Sequence, residues 1–100
     1  MREVYQYTFG ANVSLEDVES SLLLAIFAVE SLHGESQARL DVHQLLDDKL
    51  RSVAIDASTE VGQDLNRLFT GFLRREFDET AFRVKRLDSP VVPQPAPAGA

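Results

Sequence analysis

The sequence predicts an α+β domain of two layers, with helices covering one face of a small antiparallel sheet. Three observations lead there. Short segments of strict apolar/polar alternation flank two longer segments with apolar residues at helical spacing. The chain has 100 residues, 44% of them hydrophobic, which suits one domain with one core. Beyond residue 88 the composition changes to proline, alanine and glycine, where neither period can continue.

Residues 4–9 place Tyr5, Tyr7 and Phe9 on one side of a strand and Gln6 and Thr8 on the other. Gly10-Ala11-Asn12 ends this strand. Ser14 is suited to cap the helix that follows, with Glu16 and Asp17 in its first turn, where acids complement the helix dipole. Leu15, Val18, Leu22, Ala25, Ile26, Val29 and Leu32 form its apolar stripe, and Gly34 closes it after His33.

Residues 38–57 read as a hairpin. Leu40 and Val42 alternate with Arg39, Asp41 and His43; Val53, Ile55 and Ala57 alternate with Ser52, Ala54 and Asp56; Asp47-Asp48-Lys49 supplies the turn. Leu45, Leu46 and Leu50 equally suit a helix over residues 42–50, so two readings of this segment stand. Ser58 or Thr59 caps a second helix whose stripe is Val61, Leu65, Leu68, Phe69, Phe72, Leu73 and Phe77, with Arg74 and Arg75 in its last turns. Gly71 within it suggests a tight contact. Phe82 and Val84 alternate with Arg83 and Lys85 in a final strand.

The resulting order is strand, helix, strand, strand, helix, strand. This βαββαβ order is that of the ferredoxin-like split-βαβ sandwich, with the first and third strands central. The expected organisation is one domain over residues 1–88 and a flexible, disordered tail over residues 89–100, containing Pro90, Pro93, Pro95 and Pro97.

Net charge is −6, which opposes binding to a polyanion. An RNA-binding sheet of this strand order needs aromatic residues on its third strand, and Ser52-Val53-Ala54-Ile55-Asp56 has none. Nucleic acid is therefore not the expected partner. The charge is uneven: residues 1–66 hold 4 basic and 12 acidic side chains, residues 67–100 hold 6 basic and 4 acidic. Such a dipole favours docking to a charged partner or to a second copy. The chain contains no cysteine, which excludes thiol nucleophiles, disulfides and thiolate metal sites. The N-terminal residues lack the pattern of a secretory signal, and the longest apolar run, residues 22–29, is far too short to span a bilayer. The expected location is the cytoplasm, with no membrane partner.

The first helix is more apolar than a single buried face requires. Leu23, Leu24, Phe27 and Ala28 add apolar surface beyond the core stripe, and wet Leu or Phe side chains forgo ~1.5–3 kcal/mol each. These four are the candidate interface, most simply a homodimer contact. The polar side of the sheet offers a rival site: Asp41, His43, Asp56 and Arg83 form a candidate ligand face. Asp41-x-His43 near Asp47 and Asp48 is a weak metal pattern, and a solvated surface pair accounts for it. Residues 56–62 join a strand to a helix N-terminus without a glycine-rich phosphate loop, so capping by Ser58 or Thr59 suffices as an account. The loop at residues 10–14 carries neither the Cys-x-x-Cys of metal-chaperone domains nor the arginine of acylphosphatases. No catalytic, cofactor or metal residues are assigned. The function expected is that of a small non-enzymatic interaction or regulatory module, self-associating or binding another protein. The alternative is a small-ligand-binding or catalytic domain using the polar sheet face.

Overall fold

The computed structural model describes residues 3–87. In chain order they form β1 (Val4–Phe9), α1 (Leu15–His33), α2 (Glu35–Asp41), β2 (Gln44–Asp47), β3 (Ser52–Asp56), α3 (Glu60–Glu76) and β4 (Phe82–Leu87). The four strands make one antiparallel sheet in the order β2-β3-β1-β4, with β1 and β3 central. Three helices pack on it. The expected tail at residues 89–100 lies outside the described residues.

Period-two alternation sets the two faces of the sheet. Tyr7, Phe9, Val53 and Ile55 point to the helices and join Val18, Leu22, Ala25, Val29, Leu65, Phe69 and Leu73 in the core. The Tyr7 ring meets Phe69 edge-on, with centroids 5.0 Å apart. Val84 pairs with Tyr7 across β1 and β4, but the edge position of β4 leaves it 47% exposed.

Both long helices begin at their expected caps. The Ser14 side chain accepts from the Asp17 backbone N–H at 3.4 Å, and Thr59 Oγ1 accepts from Gly62 N–H at 3.0 Å. Gly34 ends α1 at φ 91°, a conformation that costs a side-chain-bearing residue and not glycine.

The element order departs from the expected βαββαβ by one helix. Residues 35–41, read in part as the first arm of a hairpin, are helical, and β2 begins only at Gln44. Neither reading of residues 38–50 holds as stated, because residues 42–50 are not helical either. The physical reason is local. Arg39 pairs with Glu35 at 2.5 Å and Gln37 donates to Asp41 at 2.6 Å, two (i, i+4) contacts available only on a helix. Only Ala38 of this helix is buried, and Leu40, expected to face inward, is 70% exposed. Leu32 of the expected α1 stripe is also exposed.

The β2–β3 turn follows Asp47, whose Oδ1 accepts from Lys49 N–H at 2.9 Å and Leu50 N–H at 3.0 Å. Arg51 leaves the turn at φ 51°, and its guanidinium donates to the carbonyls of Gly10 and Val13. It thereby ties the turn to the loop that leads into α1. The tight helix contact sits at Gly62, not Gly71: a Cβ on Gly62 would lie 2.2 Å from the Asp56 carbonyl oxygen, whereas one on Gly71 would meet open space.

Candidate interaction surface on the first helix

Helix α1 spans more than five turns, and its Val18–Leu22–Ala25–Val29 side is core. The other side is not a normal polar face. Leu23 is 45% exposed, Leu24 58% and Phe27 59%; Ala28 is half-buried. Leu23 and Phe27 are one turn apart and so adjacent on the helix surface, with Leu24 beside them. Ser20 and Ser31 flank the strip one turn before and after. Each hydroxyl donates to a carbonyl of its own helix, Ser20 to Glu16 and Ser31 to Phe27, both at 3.0 Å. These serines can enter a contact without stranding a donor.

The strip continues into the neighbouring elements. Toward β2, an apolar groove of about 330 Å³ is lined by Leu22, Leu23, Ile26, Leu45 and Leu46, with Glu19 at its rim. Toward α2, Phe27 borders a shallow depression with Glu30, Ser31, Glu35 and Arg39, where the Glu35–Arg39 pair supplies the polar margin. An apolar centre with a charged margin is the usual anatomy of a protein contact.

The four residues of the rival ligand face are dispersed. Asp41 ends α2, where its carboxylate accepts from Gln37. His43 is exposed in the link to β2, and its carbonyl accepts from Asp56 N–H at 3.0 Å. Asp56 ends β3, buried, with Oδ1 accepting from Ser58 N–H at 2.9 Å. Arg83 is exposed on β4. Asp56 pairs with Val4 and Arg83 with Thr8, so four residues of β1, roughly 13 Å, separate their levels in the sheet. The fold brings His43 to Asp56 and leaves Arg83 away from both. A polar depression of about 300 Å³ lies elsewhere, lined by Glu3, Tyr5, Gln63, Asn66 and Arg67 among others.

Two polar contacts between elements were not visible in the sequence. The Tyr7 hydroxyl donates to Asn66 Oδ1 at 2.5 Å and lies 2.6 Å from Thr70 Oγ1, joining β1 to α3. Burial raises the Tyr7 pKa above the ordinary phenol value, against a smaller opposing effect of the Thr70 hydrogen bond. His33, expected only to complement the end of α1, reaches Asp64 of α3. Such pairs depend on how two elements dock, which spacing along one element does not reveal.

No helix among the described residues is long and apolar enough to cross a membrane. Comparisons with protein-family models, with curated proteins and with solved structures give no match to this chain.

Proposed function

We propose that this protein is a non-enzymatic interaction module that self-associates through α1 and works in the cytoplasm, on a ferredoxin-like sandwich to which α2 has been added. The central position of β1 and β3 supports that description of the fold. The observation that carries the function is the exposure of Leu23, Leu24 and Phe27 on a helix whose opposite side is already core. Covering them recovers ~1.5–3 kcal/mol per side chain.

A second copy of α1 is the partner that fits. In an antiparallel packing about a two-fold axis near the middle of the helix, Leu24 meets the partner's Phe27, Leu23 meets the partner's Ala28, and Ser20 meets the partner's Ser31. Leu24 and Phe27 then form the apolar centre, Leu23 covers the small Ala28, and the paired serines are already satisfied. The test is nuclear Overhauser contact between isotope-labelled and unlabelled chains mixed in equal amounts. Intermolecular contacts from the Phe27 ring to the Leu23 and Leu24 methyls are expected; a sample with none contradicts the reading.

A further inference from the structure

Strand β2 is one edge of the sheet: β3 pairs with it on one side, and no strand among the described residues pairs with it on the other. The phase of its backbone follows from one hydrogen bond. Asp56 N–H donates to the His43 carbonyl at 3.0 Å, and the register pairs Leu45 with Ala54 and Asp47 with Ser52. Antiparallel ladders alternate, so His43, Leu45 and Asp47 direct their N–H and C=O groups to β3, while Gln44 and Leu46 direct theirs out of the sheet. Sheet edges are commonly guarded by cations or proline. The other edge, β4, carries Arg83, Lys85 and Arg86. Gln44-Leu45-Leu46-Asp47 has neither a cation nor a proline. Leu46 packs toward the helices, and Leu45 lies on the opposite face.

We propose that β2 pairs antiparallel with β2 of a second copy and joins the two sheets into one; this rests on the self-association through α1 proposed above. A two-fold axis perpendicular to the sheet keeps the helices of both copies on one side, and each residue then opposes one that shares its face. The register that uses every outward group sets Gln44 against the partner's Leu46, each pair exchanging both hydrogen bonds, and Leu45 against the partner's Leu45. Centring on Leu46 instead would set Gln44 against Asp48, beyond the end of the strand. On the face away from the helices, the favoured register places His43 opposite the partner's Asp47. The turn hydrogen bonds of Asp47 both fall on Oδ1, so its carboxylate can also accept from an imidazole. An apolar centre at Leu45 is thus flanked on each side by a complementary polar pair. The axis is the one that α1 needs. Leu22, Leu23 and Ile26 line a groove with Gln44, Leu45 and Leu46, so the middle of α1 stands beside the middle of β2. Paired strands lie about 4.8 Å apart and packed helices about 8–10 Å apart, which one axis satisfies when α1 lies just inside the edge strand. Strand β2 alone is too short to hold a dimer; it sets the register of the one that α1 drives. Pairing of two β4 strands would instead set cations against cations.

The chain has no cysteine, so one introduced thiol can form a disulfide only between copies. Leu45→Cys under mild oxidation is expected to give a covalent dimer, since residues opposed in a non-hydrogen-bonded pair lie about 4.5 Å apart at Cα. His43→Cys is expected to give none, because its counterpart lies about 13 Å away along the strands. In the native chain, amide exchange at Gln44 and Leu46 is expected to be at least about tenfold slower where the chain is dimeric than after dilution to monomer. The proposal is overturned, and the α1 contact kept, if the native chain is a dimer by mass with these amides unprotected. Protection that persists in the diluted monomer also overturns it, as does a covalent dimer formed by His43→Cys as readily as by Leu45→Cys. A chain that is monomeric at every concentration overturns both readings. Native exchange decides even if a variant does not fold.

Discussion

His33 Nε2 lies 2.7 Å from Asp64 Oδ2 and joins the last turn of α1 to the second turn of α3. Both side chains are mostly buried, at 18% and 26% exposure. This pair adds a polar contact to the apolar packing of Val18, Leu22, Ala25 and Val29 against Leu65, Phe69 and Leu73. His33→Ala is expected to cost about 1 kcal/mol of unfolding free energy. Denaturant titration of His33→Ala, Asp64→Ala and the double variant checks this. The two single effects are expected to be less than additive by about 1 kcal/mol.

The two glycines of α3 are expected to respond in opposite directions. Gly62→Ala forces a Cβ against the backbone carbonyl of Asp56, which cannot swing away as a side chain does, and is expected to cost about 1–3 kcal/mol. Gly71→Ala meets nothing and gains about 0.8–1 kcal/mol of helix propensity. Thermal unfolding of the two variants side by side reads the difference.

Tyr7 gives the protein an alkaline liability. In the unfolded chain its phenol ionises near pH 10. In the folded chain burial holds the proton to higher pH. Between the two values the unfolded state carries fewer protons, so stability falls as pH rises through and above about 10, and this contribution is flat below it. Tyr7→Phe is expected to lower stability at neutral pH by about 1–2 kcal/mol, since Asn66 and Thr70 lose a partner, and to flatten the decline above pH 10. Unfolding titrations at pH 7 and in the alkaline range measure both effects.

Residues 35–41 supply a test of the helix that replaced the expected strand. Leu40→Glu is expected to change stability by less than about 0.5 kcal/mol, since Leu40 is exposed. Ala38→Glu is expected to be severe, because Ala38 is 1% exposed and a carboxylate there would be buried unpaired. A strand with Leu40 inward would reverse the ranking in chemical denaturation.

The contrast between these segments explains what could be read from residues alone. Helices α1 and α3 are long enough for their apolar positions to repeat through several turns, and Ser14, Thr59 and Gly34 mark their ends, so spacing alone identifies them. Helix α2 has two turns, and Leu40-Asp41-Val42 alternates as a strand would. What decides its state is the pairing of Glu35 with Arg39 and Gln37 with Asp41, a feature weaker than hydrophobic periodicity and easily overlooked. The surplus apolar surface of α1 was legible because it exceeds one helix face. The groove beside Leu23 was not, since it needs the placement of Leu45 and Leu46 on β2. The close approach at Gly62 rather than Gly71 was not legible either, since a sequence does not say which glycine faces the end of β3.

Self-association through α1 is tested most directly by the solution mass from light scattering, for the native chain and for Leu23→Glu/Phe27→Glu. The expected result is a native dimer and a double variant that is monomeric with an unchanged circular dichroism spectrum, because both side chains lie outside the core. A native chain that is monomeric across the concentration range, or a double variant that remains a dimer, would contradict the account.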